Sequence, residues 1–117
     1  MFLFLLSIGA GACNLMSRSQ CDDKTVNEVA APDDKHAVVL AHRSCLNGTS
    51  YTLVRVQEIT RVFAESENVL ILDGIQQVTA NWKDSNHLEI SSDALGDPKK
   101  ILTQDTSWQT VIISYKQ

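Results

Sequence analysis

The chain has 117 residues, with 10 basic and 14 acidic side chains and a net charge of −4 when its histidines are neutral. This length allows one domain built around a single hydrophobic core. Because nucleic-acid backbones and anionic lipid headgroups are themselves negatively charged, the acidic balance disfavours both as partners, and we expect no nucleic-acid binding.

The N-terminal residues have the order of an export signal. A mostly apolar run at residues 1–8 is followed by the small residues 9–12 and then by Cys13. The run is too short to cross a bilayer, because a spanning helix takes about 20 apolar residues. We therefore predict a signal peptide over residues 1–12.

Two processing routes fit this segment. In the first, which we favour, residues 10–13 act as a loose lipobox, and Cys13 receives a lipid and becomes the first mature residue. The membrane is then contacted through the lipid anchor only, and Asn14 after the cysteine favours the outer membrane. The second route is ordinary cleavage at the small-x-small sequence 10–12, which leaves a periplasmic or secreted protein. Retention of the whole segment is a third alternative.

The remaining cysteines support the prediction of export. With Cys13 acylated, Cys21 and Cys45 are an even pair, and such pairs oxidise outside the cytosol. We predict a Cys21–Cys45 disulfide, which would close a loop of about 25 residues and stabilise the fold by roughly 3.5 kcal/mol. The alternative is two unpaired cysteines that pack as small hydrophobic residues.

The chain after the signal divides into a tether and one domain. Residues 13–30 are polar and show no sustained period, so we interpret them as the tether and place the domain at 31–117. Residues 31–35 predict a turn, since proline fixes its own φ and aspartate accepts backbone hydrogen bonds two residues on. Residues 36–42 come next as a strand with apolar side chains on both faces, which indicates burial on both sides.

Two turn dipeptides predict hairpins in the middle of the chain. Asn47-Gly48 separates the first strand from residues 51–57, which alternate with one apolar face. Asp73-Gly74 separates residues 69–72 from residues 75–78, and we predict that these two arms pair across a two-residue turn. Residues 58–67 between the hairpins are expected to form a loop or one helical turn.

The C-terminal part predicts three more strands. The arm after Gly74 runs on to Trp82, residues 83–86 turn the chain, and residues 87–91 alternate strictly. After a loop at 92–98, we expect a short strand at 99–103 and a final strand at 108–115, buried on both faces. About seven short strands at hairpin spacing predict an all-β antiparallel meander, packed as a small sandwich or partly closed barrel.

Several of these segments resemble a group of small bacterial lipoproteins and exported proteins of unassigned activity. The resemblance spans about residues 31–115, and its motifs are Pro32-Asp33-Asp34-Lys35, Arg43-Ser44-Cys45, Asn68 through Gly74, and the hairpin Trp82-x-Asp84-x-x-x-Leu88-x-Ile90. In that group the first motif usually reads Ser-Pro-Asp-Gly-Lys, so Asp34 stands in place of a turn glycine. The cysteine motif usually reads Arg-Asp-Cys-Gly, so Ser44 and Leu46 also depart from the pattern. The resemblance implies the fold and an envelope location only.

Few residues suggest chemistry. Cys45 and His42 are three positions apart, but at a strand end their side chains point to opposite faces, and no third group orients the histidine. His36 and His42 share a face, yet six strand residues separate them by about 20 Å, too far for one metal even with His87 or Asp84 nearby. We expect no catalytic residues, no metal and no cofactor.

The carboxylates are predicted to serve turns. Those that fall at turns, where aspartate usually bonds local backbone amides, are Asp73, Asp84, Asp93, Asp97 and Asp105. We therefore expect a non-enzymatic binding or structural module at the cell envelope, with a protein or envelope component as partner. The alternatives are a periplasmic immunity or inhibitor protein and a small hydrolase built on turn carboxylates.

Overall fold

The computed structural model describes residues 20–59, 62 and 64–117. The predicted signal peptide and Cys13 lie outside the described residues, and so does the first part of the tether. The described residues form nine strands and two short 3₁₀ turns, at Asp93–Gly96 and Pro98–Lys100. The strands are β1 (Cys21–Ala30), β2 (His36–Cys45), β3 (Ser50–Glu58), β4 (Ser66–Asp73), β5 (Thr79–Asp84), β6 (His87–Ser91), β7 (Ile101–Gln104), β8 (Ser107–Trp108) and β9 (Val111–Lys116).

The strands form two sheets that pack as a small sandwich. Sheet I has the order β1-β2-β3-β4-β7 and sheet II the order β5-β6-β9-β8. This confirms the all-β prediction, and the described strands form no closed barrel. Two pairs depart from the predicted antiparallel meander. β4 pairs with β7, which is not its neighbour in sequence, and β6 and β9 run parallel, with Leu88 opposite Ile113. A parallel pair needs a long connection, and the chain makes it by passing through sheet I as β7.

One hydrophobic core lies between the sheets. Sheet I supplies aliphatic side chains from β2, β3 and β4, and sheet II supplies Leu88, Ile90, Val111 and Ile113, all with little or no exposed surface. The face of sheet I that carries Val38 and Leu40 is called its inner face below. The strict alternation predicted for 87–91 is confirmed, since Leu88 and Ile90 are fully buried.

Sheet I begins earlier in the chain than residue 31, where the composition predicts the start of the domain. Residues 21–30, within the predicted tether, form β1 and pair antiparallel with β2 along its length. Residues 31–35 are therefore the turn of a β1–β2 hairpin, in which Asp34 adopts φ 59, the region that glycine adopts without steric cost. The sequence carries no strand signal here because β1 is an edge strand with nearly all of its residues exposed, so neither face needs to be apolar.

The Asn47-Gly48 hairpin is confirmed. It joins β2 to β3, with Gly48 at φ 90 and its N–H donating to the Cys45 carbonyl at 3.0 Å. The side chain of Asn47 accepts from the Thr49 N–H at 3.0 Å. The Lys83-to-Asn86 turn between β5 and β6 is confirmed as well.

The Asp73-Gly74 hairpin prediction is wrong. Val69–Leu72 lie in β4, which pairs with β3 and β7, whereas residues 75–78 belong to no strand. Gly74 does take a positive φ of 77, but the turn carries the chain out of sheet I and across to sheet II. Residues 74–78 are called the crossover segment below. The dipeptide predicts a local reversal correctly, and tertiary packing decides where the next segment goes.

The final strand also differs from its prediction. Trp108 belongs to the short strand β8, which turns at Gln109 and Thr110 to pair with β9. Val111 and Ile113 face the core as expected, but Ile112 on the opposite face is 53% exposed. Sheet II is therefore covered on one face at this strand, where burial on both faces was predicted.

Two aromatic side chains bond one sheet to the other. The indole N–H of Trp82 in β5 donates to the Val29 carbonyl in β1 at 2.9 Å. The hydroxyl of Tyr115 in β9 lies within hydrogen-bond distance of the Val69 carbonyl in β4, at 3.3 Å, and of the Asp105 carbonyl just after β7. Burial raises the pKa of this hydroxyl above its usual value. Within the described part of the chain, no helix is long and apolar enough to cross a membrane.

Candidate functional site

A cleft of about 210 Å³ lies on the inner face of sheet I, beside the crossover segment. Val26 of β1, Leu40 and His42 of β2 and Thr52 of β3 line one side, and residues 75–78 line the other. Neighbouring strands bring the first four together, since His42 pairs with Thr52 and with Lys24. The cleft thus exists because the chain leaves sheet I at Gly74 and does not fold back on β4.

The walls of the cleft are apolar and open to solvent. Val26 is 54% exposed and Ile75 is 51% exposed, while Leu40 below them is buried and belongs to the core. Val26 occupies the position between Thr25 and Asn27 where the β1–β2 register shifts. A bulge of this kind redirects a side chain away from the regular alternation, and here it places a valine at the mouth of the cleft.

Two buried hydroxyls hold the crossover segment. The Thr52 hydroxyl donates to the Gly74 carbonyl and accepts from the Gln76 N–H, both at 2.8 Å. The Ser92 hydroxyl donates to the Gln77 carbonyl at 2.7 Å and accepts from the Ala94 N–H. Thr52 and Ser92 are the two buried polar residues among those described, so the interior polar groups of the sandwich serve to fix this segment.

The cleft carries no negative charge of its own. None of its lining residues is an aspartate or glutamate. His42 is its one titratable lining residue, and Lys24 lies directly opposite His42 on the neighbouring strand, on the same face of the sheet. An anionic or neutral group therefore suits this surface better than a cationic one.

The structure brings the predicted disulfide cysteines together. Cys21 and Cys45 are cross-strand partners in β1 and β2, and their sulfurs are bonded at 2.04 Å. Cys45 therefore offers no free thiol for a Cys–His pair with His42. The predicted lipidation residue, Cys13, is not among the described residues.

The three histidines lie in separate environments. The His36 ring packs edge-on against Trp108, with ring centroids 6.0 Å apart, and His42 lines the cleft. His87 begins β6, with its Nδ1 2.8 Å from the Asp84 carboxylate. Across residues 20–59, 62 and 64–117, no three or more His, Cys, Asp or Glu side chains are grouped so that they could hold a metal.

Two of the predicted turn carboxylates bond backbone amides nearby. Asp84 accepts from the Asn86 N–H at 2.8 Å, and its hydrogen bond with His87 lowers the pKa of its carboxyl. Asp97 accepts from the Lys99 N–H at 3.0 Å. Both carboxylates thus take part in shaping local turns.

One ion pair depends on β1 and therefore had no signal in the sequence. Asp23 of β1 faces Arg43 of β2 and accepts from its guanidinium at 2.6 and 2.9 Å. Arg55 lies 3.8 Å from the same carboxylate. The hydrogen bond from Arg43 is the main cause that lowers the pKa of the Asp23 carboxyl. The charges lie on the face of sheet I opposite the cleft.

The cleft residues themselves carry no sequence motif. Val26 lies in a stretch without alternation, and Ile75 and Val78 fit the wrong hairpin as well as the observed crossover. A signal was present in Thr52, a polar residue on a face shared with Val54 and Val56, because such a residue must bond something inside the fold. Comparison with known proteins gave no match to a family model, a curated protein or a solved structure.

Proposed function

We propose that the protein is an exported binding module that is held at the cell envelope by a lipid on Cys13 and contacts a protein partner through the cleft. The observation that carries the proposal is the Cys21–Cys45 disulfide at the base of the first strand. Disulfides persist in oxidising compartments and are rare in the cytosol. The action proposed is binding, without a chemical step.

The position of the disulfide suits a tethered protein. Cys21 is eight residues after Cys13, and the Leu46 N–H donates to the Gln20 carbonyl at 2.7 Å, directly beside the bridge. The bridge therefore fixes the point where the chain enters the fold. A force on the tether therefore acts on the bonded β1–β2 pair. Without the bridge the force would act on β1 alone, an edge strand that has almost no buried side chains to hold it.

Metabolic labelling with a radioactive fatty acid tests the anchor. We expect label on the wild-type protein and on Cys21→Ser, and none on Cys13→Ser. Cys21→Ser is the matched control, because it changes a neighbouring cysteine without removing the proposed acceptor. An unlabelled wild type, or equal label on Cys13→Ser, would contradict the proposal.

Alkylation of the native protein tests the compartment independently. We expect Cys21 and Cys45 to resist a thiol reagent until a reductant is added, in protein recovered from the cell envelope. Two reactive thiols in that material would show that the bridge does not form there.

A periplasmic inhibitor of a basic protein is the second candidate, favoured by the net charge of −4. An inhibitor of this kind would contain the same disulfide and would not need the lipid on Cys13. An unlabelled but exported protein that forms a stoichiometric, salt-sensitive complex with a basic partner would favour this candidate.

A further inference from the structure

We propose that the cleft receives one aliphatic side chain of a protein partner, with a carboxylate of that partner beside it. The inference rests on the proposed function for its biological setting, since it names the chemistry of the partner's contact. Its physical argument uses only the size, the apolar walls and the charges of the cleft.

The size of the cleft sets the size of the occupant. At about 210 Å³, it is smaller than the range of about 300–1,000 Å³ typical of pockets that enclose whole small molecules. A single side chain fits a space of this size, and protein interfaces commonly concentrate their energy in one such anchor seated in a pocket.

The apolar walls set the chemistry of the anchor. Val26 and Ile75 are each about half exposed, and they stand above Leu40, which continues into the core. An aliphatic group placed between them would cover apolar surface on both sides, which is favourable in proportion to the area removed from water. The Thr52 hydrogen bonds hold one wall in place before binding, so little ordering is needed on association.

The charges set what lies next to the anchor. The sequence has 14 acidic residues, yet none lines the cleft, and Lys24 is the cross-strand partner of the lining residue His42. A carboxylate on the partner complements this arrangement, whereas a lysine or arginine would find no counter-ion among the lining residues.

The alternative contact, strand addition to β1, is less suited to the structure. β1 is an exposed edge, but it carries Asp22, Asp23, Lys24 and Glu28 and is interrupted by the bulge at Val26. Charged side chains and bulges are the features that block edge-to-edge pairing. The bulge therefore both protects the edge and shapes the cleft.

Nuclear magnetic resonance titration of the ¹⁵N-labelled protein, with its disulfide formed, tests the inference with N-acetyl-L-leucine as probe. We expect weak, saturable shifts confined to the amides of the cleft and of its neighbouring lysine, namely Lys24, Val26, Leu40, His42, Thr52 and residues 75–78. N-acetyl-L-leucinamide lacks the carboxylate and N-acetyl-L-alanine lacks the larger side chain, and each should bind more weakly. No saturable shifts, or shifts spread over both sheets, would overturn the proposal.

Matched isoleucine variants locate the site. Ile75 and Ile112 are 51% and 53% exposed, so asparagine at either position should leave the fold intact, which circular dichroism would verify. Ile75→Asn should weaken probe binding about fivefold, the effect expected for one lost aliphatic contact. Ile112→Asn should leave it unchanged, and equal behaviour of the two variants would contradict the assignment.

A lysine pair tests the carboxylate. Lys24→Gln should abolish the preference for N-acetyl-L-leucine over its amide, and Lys99→Gln, at an exposed lysine in the second 3₁₀ turn, should preserve it. A preference that survives Lys24→Gln would contradict the carboxylate assignment. The titration uses purified protein, whereas the proposed lipid on Cys13 is tested only by labelling in cells. Failure of one test is therefore distinguishable from failure of the other.

Discussion

The two sheets of the sandwich are assembled in different ways. Four strands of sheet I, β1 to β4, are consecutive in sequence and pair with their immediate neighbours. Sheet II contains two short hairpins, β5–β6 and β8–β9, and is completed only when β6 pairs with β9, with Leu88 opposite Ile113. Local turn sequences therefore account for most of sheet I, whereas sheet II depends on contacts between segments that are distant in the chain.

The difference extends to the interactions that hold each sheet. In sheet I, β1 to β4 have eight to ten residues each, a disulfide lies at one end, and the β1–β2 and β2–β3 ladders have nine register pairs each. The strands of sheet II span six residues or fewer, and its fully buried side chains pack against sheet I. We infer that sheet II is stable only while docked on sheet I, since short strands gain little from pairing alone.

Truncation of a sheet II core residue should have the largest effect. Leu88 is fully buried, and Leu88→Ala should lower the free energy of unfolding by about 2–5 kcal/mol, through lost apolar burial and a residual cavity. Urea denaturation measures the change. Leu102→Ala on β7 is the control, because Leu102 is 52% exposed and should change stability by less than about 1 kcal/mol. Similar losses for both variants would contradict a core centred between the sheets.

Removal of the disulfide should weaken sheet I next. The double variant Cys21→Ala and Cys45→Ala should lose up to about 3.5 kcal/mol of unfolding free energy, the chain-entropy value for a loop of about 25 residues. Hydrogen exchange should accelerate most in β1, beyond the increase shared by all amides that exchange through global unfolding. Uniform acceleration in both sheets would show that the bridge stabilises the whole domain and not one end of sheet I.

The junction between the sheets should respond to loss of the Thr52 hydroxyl. Thr52→Val keeps the shape but leaves the Gly74 carbonyl and the Gln76 N–H without their partner, a loss of about 1–3 kcal/mol. Thr52→Ser keeps the hydroxyl and should retain the slow exchange of the Gln76 amide. If the serine variant loses that protection as fully as the valine variant, the hydroxyl is not the group that holds the crossover.

The smallest effect is expected at Tyr115, which joins β9 to sheet I. Tyr115→Phe should lose about 1 kcal/mol at neutral pH, because the Asp105 carbonyl loses its donor. The pKa of this hydroxyl is raised in the folded protein, so the fold favours the neutral form. Its contribution is present below the unfolded pKa of about 10 and is lost as the pH rises beyond it.

Denaturation of both proteins across the alkaline range tests this dependence. The stability difference between wild type and Tyr115→Phe should shrink above about pH 10. A difference that stays constant through that range would contradict the buried hydrogen bond.

The parts of the fold that alternation specifies could be predicted from sequence. Leu88 and Ile90, the Asn47-Gly48 turn and the two-sided burial of residues 37–41 all arise from period-two patterns or turn chemistry. The β1 strand could not be predicted, because its side chains are solvated and its pairing uses backbone groups that every sequence has. Asp73-Gly74 shows a second limit, since a turn dipeptide specifies a bend and leaves the partner of the next segment undetermined.

The cleft could not be predicted from the sequence, for related reasons. Val26 lines the cleft because of a bulge in β1, a strand that was not predicted. Ile75 lines it because the chain crosses between the sheets after a turn dipeptide that is typical of a hairpin. The disulfide was within reach, because cysteine number and the expected compartment left one pair to form. Residues joined by covalent chemistry were thus easier to predict than residues joined by tertiary packing.

Both the sandwich and the cleft depend on the crossing of the chain from sheet I to sheet II at Gly74. Nuclear Overhauser contacts between backbone protons test this crossing directly, at Ile71, which is placed opposite Leu53 on β3 and Thr103 on β7. We expect cross-strand contacts from Ile71 to both of these residues. Contacts from Ile71 and Leu72 to Ile75 and Gln76 in place of those to Thr103 would show a β4 hairpin and contradict the crossing.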